Sequence, residues 1–165
     1  VQNNPRHILF LCTGNSCRSV LSEAIFNHLA PAGWRALSAG SQPAGQLHPH
    51  AVALLHARGI STDGYYSKSW HDLDVTPDIV ITVCGSAAGE TCPAYLGPVV
   101  RAHWGVDDPS HVVGTPAQID AAFEHAYRLI RARIEAFLAL PLAQLLGDRA
   151  ALKAALDTIG ALQRN

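Results

Sequence analysis

The chain alternates between short apolar runs and stretches in which apolar residues recur at helical spacing. "HILFLC" (7–12) is almost continuously hydrophobic, the pattern of a parallel strand covered on both faces. From Ser19 to Ala30, Leu21, Ala24, Ile25 and Leu29 fall on one helical face, and Pro31 and Gly33 end the segment. "WRALSAG" (34–40) predicts a second strand. Pro49 to Arg58 predicts a helix, with proline at its start and Gly59 just past its end. "DIVITVC" (78–84), rich in β-branched residues, predicts the clearest strand, and "VVRAHW" (99–104) a weaker fourth. Thr115 and Gln118 form a capping-box pattern with Pro116 between them, opening a long helix whose buried face is Ile119, Phe123, Ala126, Ile130, Ile134 and Phe137. Pro141 breaks it. Residues 147–162 predict one more amphipathic helix, capped by Asp148 and striped by Leu152, Leu156, Ile159 and Leu162.

Strands alternating with helices imply an α/β fold: a four-stranded parallel sheet flanked by helices. No repeat, low-complexity segment or interdomain linker interrupts the pattern. The reading is one domain over 1–165, with a core at 7–140 and a C-terminal helical extension at 141–165. "SAAGE" (86–90) is small and polar, and predicts a mobile loop.

Composition narrows the function classes. Of 165 residues 48% are hydrophobic, enough for a substantial core. The formal net charge of -1 supplies no broad basic field for nucleic acid, so an anionic ligand must be held by a local site. No stretch approaches the ~20 apolar residues that span a bilayer, and "VQNNPRHILF" lacks the pattern of a signal peptide. A soluble, cytoplasmic, monomeric protein is expected. In a reducing compartment the four cysteines, Cys12, Cys17, Cys84 and Cys92, read as catalytic, redox-active or metal-bound rather than as structural disulfides. His48 and His50 flank Pro49, but two ligands fall short of a metal site, and no bound metal is expected.

The chemistry concentrates in "CTGNSCRS" (12–19). It follows a strand and opens a helix, at the carboxyl edge where parallel sheets bind ligands. Backbone N–H groups of Thr13, Gly14, Asn15, Ser16 and Cys17 can converge there on an anion, aided by the helix N-terminus. Gly14 is read as the residue that relaxes the backbone, and Asn15 as a brace that tolerates a left-handed conformation. Arg18 offers a planar fork for two oxygens of a tetrahedral oxyanion. The same positive potential favours a Cys12 thiolate, to which Ser19 can donate a hydrogen bond. Cys17 is read either as a small packed residue or as a protective disulfide partner of Cys12 under oxidation.

The cysteine–five residues–arginine–serine loop resembles that of the low-molecular-weight protein tyrosine phosphatases. That resemblance implies a general acid in a late Asp-Pro pair, here Asp108-Pro109 in "HWGVDDPS", since the leaving oxygen departs poorly unless protonated. Asp107 is adjacent, but the position before proline favours Asp108. His103 and Trp104 either flank this acid loop or pack in the core.

More closely, "CTGNSCRS", "SAG", "DIVITVC…CP" and "HWGVDDP" occur in the order found in the arsenate reductases built on the phosphatase fold, over about residues 7–140. This second resemblance implies that Cys12 attacks arsenate held by the loop and Arg18, and that Asp108 protonates the departing hydroxyl. Cys84 then displaces arsenite to leave a Cys12–Cys84 disulfide, and Cys92 passes the disulfide outward. It implies no tightly bound cofactor but an external thiol reductant: thioredoxin, or glutathione with glutaredoxin. Phosphate and sulfate are the expected analogues of arsenate. Thioredoxin-linked members space the two relay cysteines seven apart, whereas Cys84 and Cys92 are eight apart. Members that bind potassium use an Asn, a Glu, a Ser and a Thr/Asp pair. Asn15, Glu23 and Ser38 match, but Tyr66 and Lys68 stand at the last pair, and no potassium requirement is expected. The alternatives are a phosphatase acting on phosphomonoesters and a non-catalytic anion- or redox-sensing module. Against the phosphatase, Ser110, His111 and Val112 follow Asp108-Pro109 where tyrosine phosphatases carry aromatic residues.

Overall fold

The computed structural model describes residues 5–84 and 99–162. Four strands, β1 (Arg6–Cys12), β2 (Trp34–Gly40), β3 (Ile79–Thr82) and β4 (Val100–His103), form one parallel sheet in the order β2-β1-β3-β4. The helices are α1 (Arg18–Leu29), α2 (Pro49–Ala57), α3 (Pro116–Leu138), the single turn α4 (Leu142–Leu145) and α5 (Arg149–Gly160).

The helices begin where their caps dictate. Thr115 Oγ1 accepts from Gln118 N while Gln118 Oε1 accepts from Thr115 N, so the capping box of α3 is complete. Asp148 accepts from Ala151 N and starts α5 at Arg149, two residues inside the predicted span. Strands β3 and β4 are shorter than predicted at both ends, and the residues after β3 turn toward the loop that follows β4. Val83 N still bonds Leu11 O, but Val83 O accepts from Val106 N, beyond β4. The pattern did not reveal α4 or the two 3-10 turns at Trp70–Asp72 and Pro109–His111, which are too short for a periodicity to register.

One face of the sheet carries the main core. Ile8, Phe10, Ile79, Ile81, Val100 and Ala102 point into a cluster shared with α1, α2, α3 and α5. Aromatic rings tie its layers together. Phe10 packs on Phe26 of α1 and on Trp104, and Phe137 of α3 lies 5.3 Å from Trp34 in an edge-on arrangement. Trp104 is buried here, its Nε1 donating to Leu156 O of α5 at 3.0 Å, whereas His103 stays exposed and bonds Thr82. The opposite face holds a smaller cluster of Leu9, Leu11, Ala39, Val80 and Val99, with Trp70 and Leu73 packed against it.

Candidate active site

Cys12 is the last residue of β1 and Arg18 the first of α1, so the intervening loop is bounded by two rigid elements. The loop's outward bonds show how it becomes an anion cradle. The carbonyls of Thr13, Gly14 and Ser16 accept from the N–H groups of Gln42, Ala44 and His48, at 3.0, 2.8 and 2.8 Å. In a trans peptide the N–H points opposite to its C=O. Those bonds therefore turn the N–H groups of Gly14, Asn15 and Cys17 away from the outer segment, toward the loop's concave side. Residues 42–48 are the outer wall.

Gly14 is not the left-handed residue. That position belongs to Asn15, with φ of 45°, while a Cβ on Gly14 would meet only Ser16 Oγ at 3.8 Å. Asn15 is fully buried and every polar atom of its side chain is used. Its Nδ2 donates to Ser19 Oγ and Ser38 Oγ, both at 2.9 Å, and its Oδ1 accepts from Lys68 N. Ser38 Oγ in turn donates to Glu23 Oε1 at 2.6 Å. Because Ser19 Oγ accepts from Asn15, its own proton is free for another acceptor. Burial pushes the Glu23 carboxyl up against the pull of the Lys68 charge and the Ser38 hydroxyl. The glycine that close approach demands is Gly40, where a Cβ would lie 2.4 Å from Thr13 O and 2.8 Å from Cys12 O. That is the physical content of "SAG".

Cys12, Cys17 and Cys84 are all buried in the main core. Burial, the Asp108 charge and Cys12 push the Cys17 thiol up to about 12 despite Arg18, so it stays protonated at neutral pH. Cys84 follows Val83, whose N–H bonds β1, and lies at the same sheet edge as Cys12. Cys92 and the 86–90 segment lie outside the described residues.

The acid loop reaches the cradle from the far end of β4. Arg18 Nη1 donates to Val106 O at 3.0 Å and Nη2 to Asp108 Oδ2 at 3.3 Å, with Arg18 almost wholly buried. Ser110, which sequence reasoning noted only as not aromatic, orients the carboxylate. Its N–H and hydroxyl both donate to Asp108 Oδ1, at 2.9 and 2.6 Å, and His111 Nε2 stands 3.5 Å from Oδ2. Burial opposes ionisation of Asp108, but Ser110, Arg18 and His111 together outweigh it and hold the carboxyl below its ordinary range. Asp107 is exposed and takes no part in this arrangement. His48 caps α2 and feels the Asp108 charge, although burial and His50 push its imidazole down. Among the described residues no group of three or more His, Cys, Asp or Glu is placed to hold a metal ion.

Cys12 and Arg18 thus bound one loop at the sheet's carboxyl edge, and Asp108 meets that loop through Arg18. Residues 7–151 match the family model described as low molecular weight phosphotyrosine protein phosphatase. The chain belongs to that family. Within this phosphatase family it is 40% identical to the arsenate reductase of Shouchella clausii, over 79% of this chain and 93% of the relative. Among solved structures, the arsenate reductase of Archaeoglobus fulgidus superposes with a TM-score of 0.66 at 23% identity, over 86% of this chain and 99% of the other. The thioredoxin-dependent arsenate reductase of Corynebacterium glutamicum gives 0.56 at 25% identity, over 89% of this chain and 64% of that one. The phosphatase-type fold, a parallel sheet flanked by helices, is therefore the expected one. No described helix is long and apolar enough to cross a membrane.

Proposed function

We propose that this phosphatase-family chain is an arsenate reductase working through a relay of cysteines. The observation that carries the reading is Cys84: a fully buried free thiol, in one cluster with Cys12, at the same carboxyl edge of the sheet. Phosphomonoester hydrolysis needs a nucleophile, an arginine and an acid, and gives that second thiol no role. The arsenate reductases among its relatives point the same way.

The proposed steps are these. The loop N–H groups and Arg18 hold arsenate with its arsenic over Cys12, whose thiolate accepts a hydrogen bond from Ser19. Cys12 Sγ attacks arsenic, and a hydroxyl leaves as water with the proton of Asp108. Cys84 Sγ then attacks Cys12 Sγ. The sulfur–arsenic electron pair stays on arsenic, which leaves as arsenite, and a Cys12–Cys84 disulfide remains. Two thiols have supplied the two electrons, so no bound cofactor takes part. Cys92 attacks Cys84 and carries the disulfide to a cytoplasmic reductant, thioredoxin in first place and glutathione with glutaredoxin in second. This reading includes no potassium: the Lys68 side chain, whose charge acts on Glu23, donates to Tyr66 O at 3.0 Å.

The test is thioredoxin- and thioredoxin-reductase-coupled NADPH oxidation with arsenate, for wild type, Cys12→Ser, Cys84→Ser and Cys92→Ser. Turnover is expected to vanish in all three variants, and unchanged turnover in Cys84→Ser would sink the relay. Hydrolysis of an aryl phosphate that survives Cys84→Ser but not Cys12→Ser is the expected trace of the shared first step.

A further inference from the structure

Arg133, on α3, is among the most buried side chains of the protein, yet none of the ion pairs among the described residues includes it. Its partners are backbone carbonyls from two separate segments. Nη1 donates to Gly105 O at 3.0 Å, and Nη2 donates to Gly160 O at 3.2 Å and Leu162 O at 2.9 Å. Its Nε is buried with no hydrogen-bond partner. Burying a guanidinium without a carboxylate is costly, and a hydrophobic residue would fill the same volume at less expense. What the guanidinium does, and an aliphatic side chain cannot, is join three carbonyls.

The segments it joins are the start of the acid loop and the end of α5. Gly105 precedes Val106, whose N–H bonds Val83 O and whose carbonyl accepts from Arg18. Two residues further on is Asp108. The Gly105 peptide is thus fixed by Arg133 and the Val106 peptide by Arg18. On the other side, α5 is seated against β4 by the Trp104–Leu156 bond and by Gly160, where a Cβ would lie 2.4 Å from His103 O. Helix α5 runs mostly beyond residues 7–151, the stretch matched by the family.

We infer that Arg133 is a positioning residue for Asp108, and that α5 is a strap holding Arg133 on the acid loop. The inference rests on reading Asp108 as the acid. When the Gly105 carbonyl loses its donor, the loop loosens and Asp108 leaves Arg18. The charges that lower the Asp108 carboxyl are those of Arg18 and His111, the Asp108 charge acts in turn on His48 and Cys17, and Arg133 reaches Asp108 only through the backbone.

The experiment combines Arg133→Met, Arg133→Lys and Gly160→Val in the full chain. The last variant pushes the end of α5 off β4 while leaving Arg133 itself unsubstituted. The readouts are steady-state arsenate reduction across pH and titration of the Asp108 carboxyl by carbon NMR. Arg133→Met and Gly160→Val are expected to lower kcat by about 10- to 100-fold with little change in KM, and to move the Asp108 titration up toward an ordinary carboxylate. Arg133→Lys is expected to recover part of both, because an ammonium can still reach one carbonyl. An Asp108 titration unchanged in both Arg133→Met and Gly160→Val overturns the inference, whatever their melting temperatures. If the wild type fails to reduce arsenate while the titration still moves, the reaction assigned above falls and the positioning role stands.

Discussion

Arg18 and Asp108 hold each other, Nη2 standing 3.3 Å from Oδ2, and they do so while Arg18 also serves Val106 O. In the proposed reaction the fork that binds the oxyanion is thus also the group that keeps the acid ionised. A dianion drawn into the cradle competes with Asp108 for that guanidinium and adds negative charge beside it. Both effects raise the affinity of Asp108 for the proton it must donate.

Asp108→Asn removes the proton donor and is expected to lower kcat for arsenate reduction by roughly 10²- to 10⁴-fold. It also removes a carboxylate whose pKa is lowered in the folded state. Such a group contributes stability above its unfolded value of about 3.9 and loses that contribution as pH falls through the folded value. The melting-temperature gap between wild type and variant should be widest near about pH 7 and narrow in acid. A gap that widens on acidification contradicts the assignment.

Cys17 should be inert beside Cys12. With its thiol at about 12, its thiolate fraction at neutral pH lies far below that of an ordinary cysteine. Alkylation by iodoacetamide, followed peptide by peptide in the mass spectrometer, should mark Cys12 first and Cys17 on the order of 10³-fold more slowly than a free thiol. Equal rates at the two residues would show that the loop does not discriminate between them.

Asn15→Gly and Asn15→Ala separate two roles of one residue. Both lose the bonds to Ser19, Ser38 and Lys68, at a cost of about 1–3 kcal/mol. Only alanine also carries a Cβ into the left-handed conformation, adding about 1–2 kcal/mol. Denaturant titration should rank wild type above glycine and glycine above alanine. A glycine variant as stable as wild type would mean that the network does not stabilise the loop.

Gly40→Ala places a methyl group against the carbonyls of Thr13 and Cys12, and backbone cannot step aside as a side chain does. A loss of about 1–3 kcal/mol is expected, together with a fall in kcat/KM, because the displaced peptides belong to the cradle. Wild-type kinetics in a destabilised Gly40→Ala protein would show that β2 supports the fold but not the loop.

The sheet and the long helices were legible because their signals are local: β-branched runs, the Thr115–Gln118 box, the proline stops. Cys12, Arg18 and Asp108 are each marked by a short motif, and the fold brings Arg18 and Asp108 within hydrogen-bond distance. What sequence could not show is where carbonyls go. The outer wall at 42–48 works through backbone N–H groups, which any residue except proline supplies, so "QPAGQLH" carries no mark of it. Arg133 resembles the exposed Arg128 in composition, and only the fold reveals that its guanidinium is buried among main-chain acceptors. The left-handed residue was assigned to Gly14 as well as Asn15 because glycine is the permissive choice. Three hydrogen bonds decided for Asn15 alone.

The separation of 90 positions between Arg18 and Asp108 also bears on how the protein folds. The cradle lies between a strand and the helix that follows it, pairs with β2 and is walled by 42–48, so it closes over short loops early in the chain. The acid arrives only after β4 has added to the sheet edge, at the entropic cost of a far longer loop. A chain emerging from the ribosome thus completes the loop between Cys12 and Arg18 well before Asp108 exists to meet it. The Arg18–Asp108 pair is acquired last, when the distant half of the sequence docks.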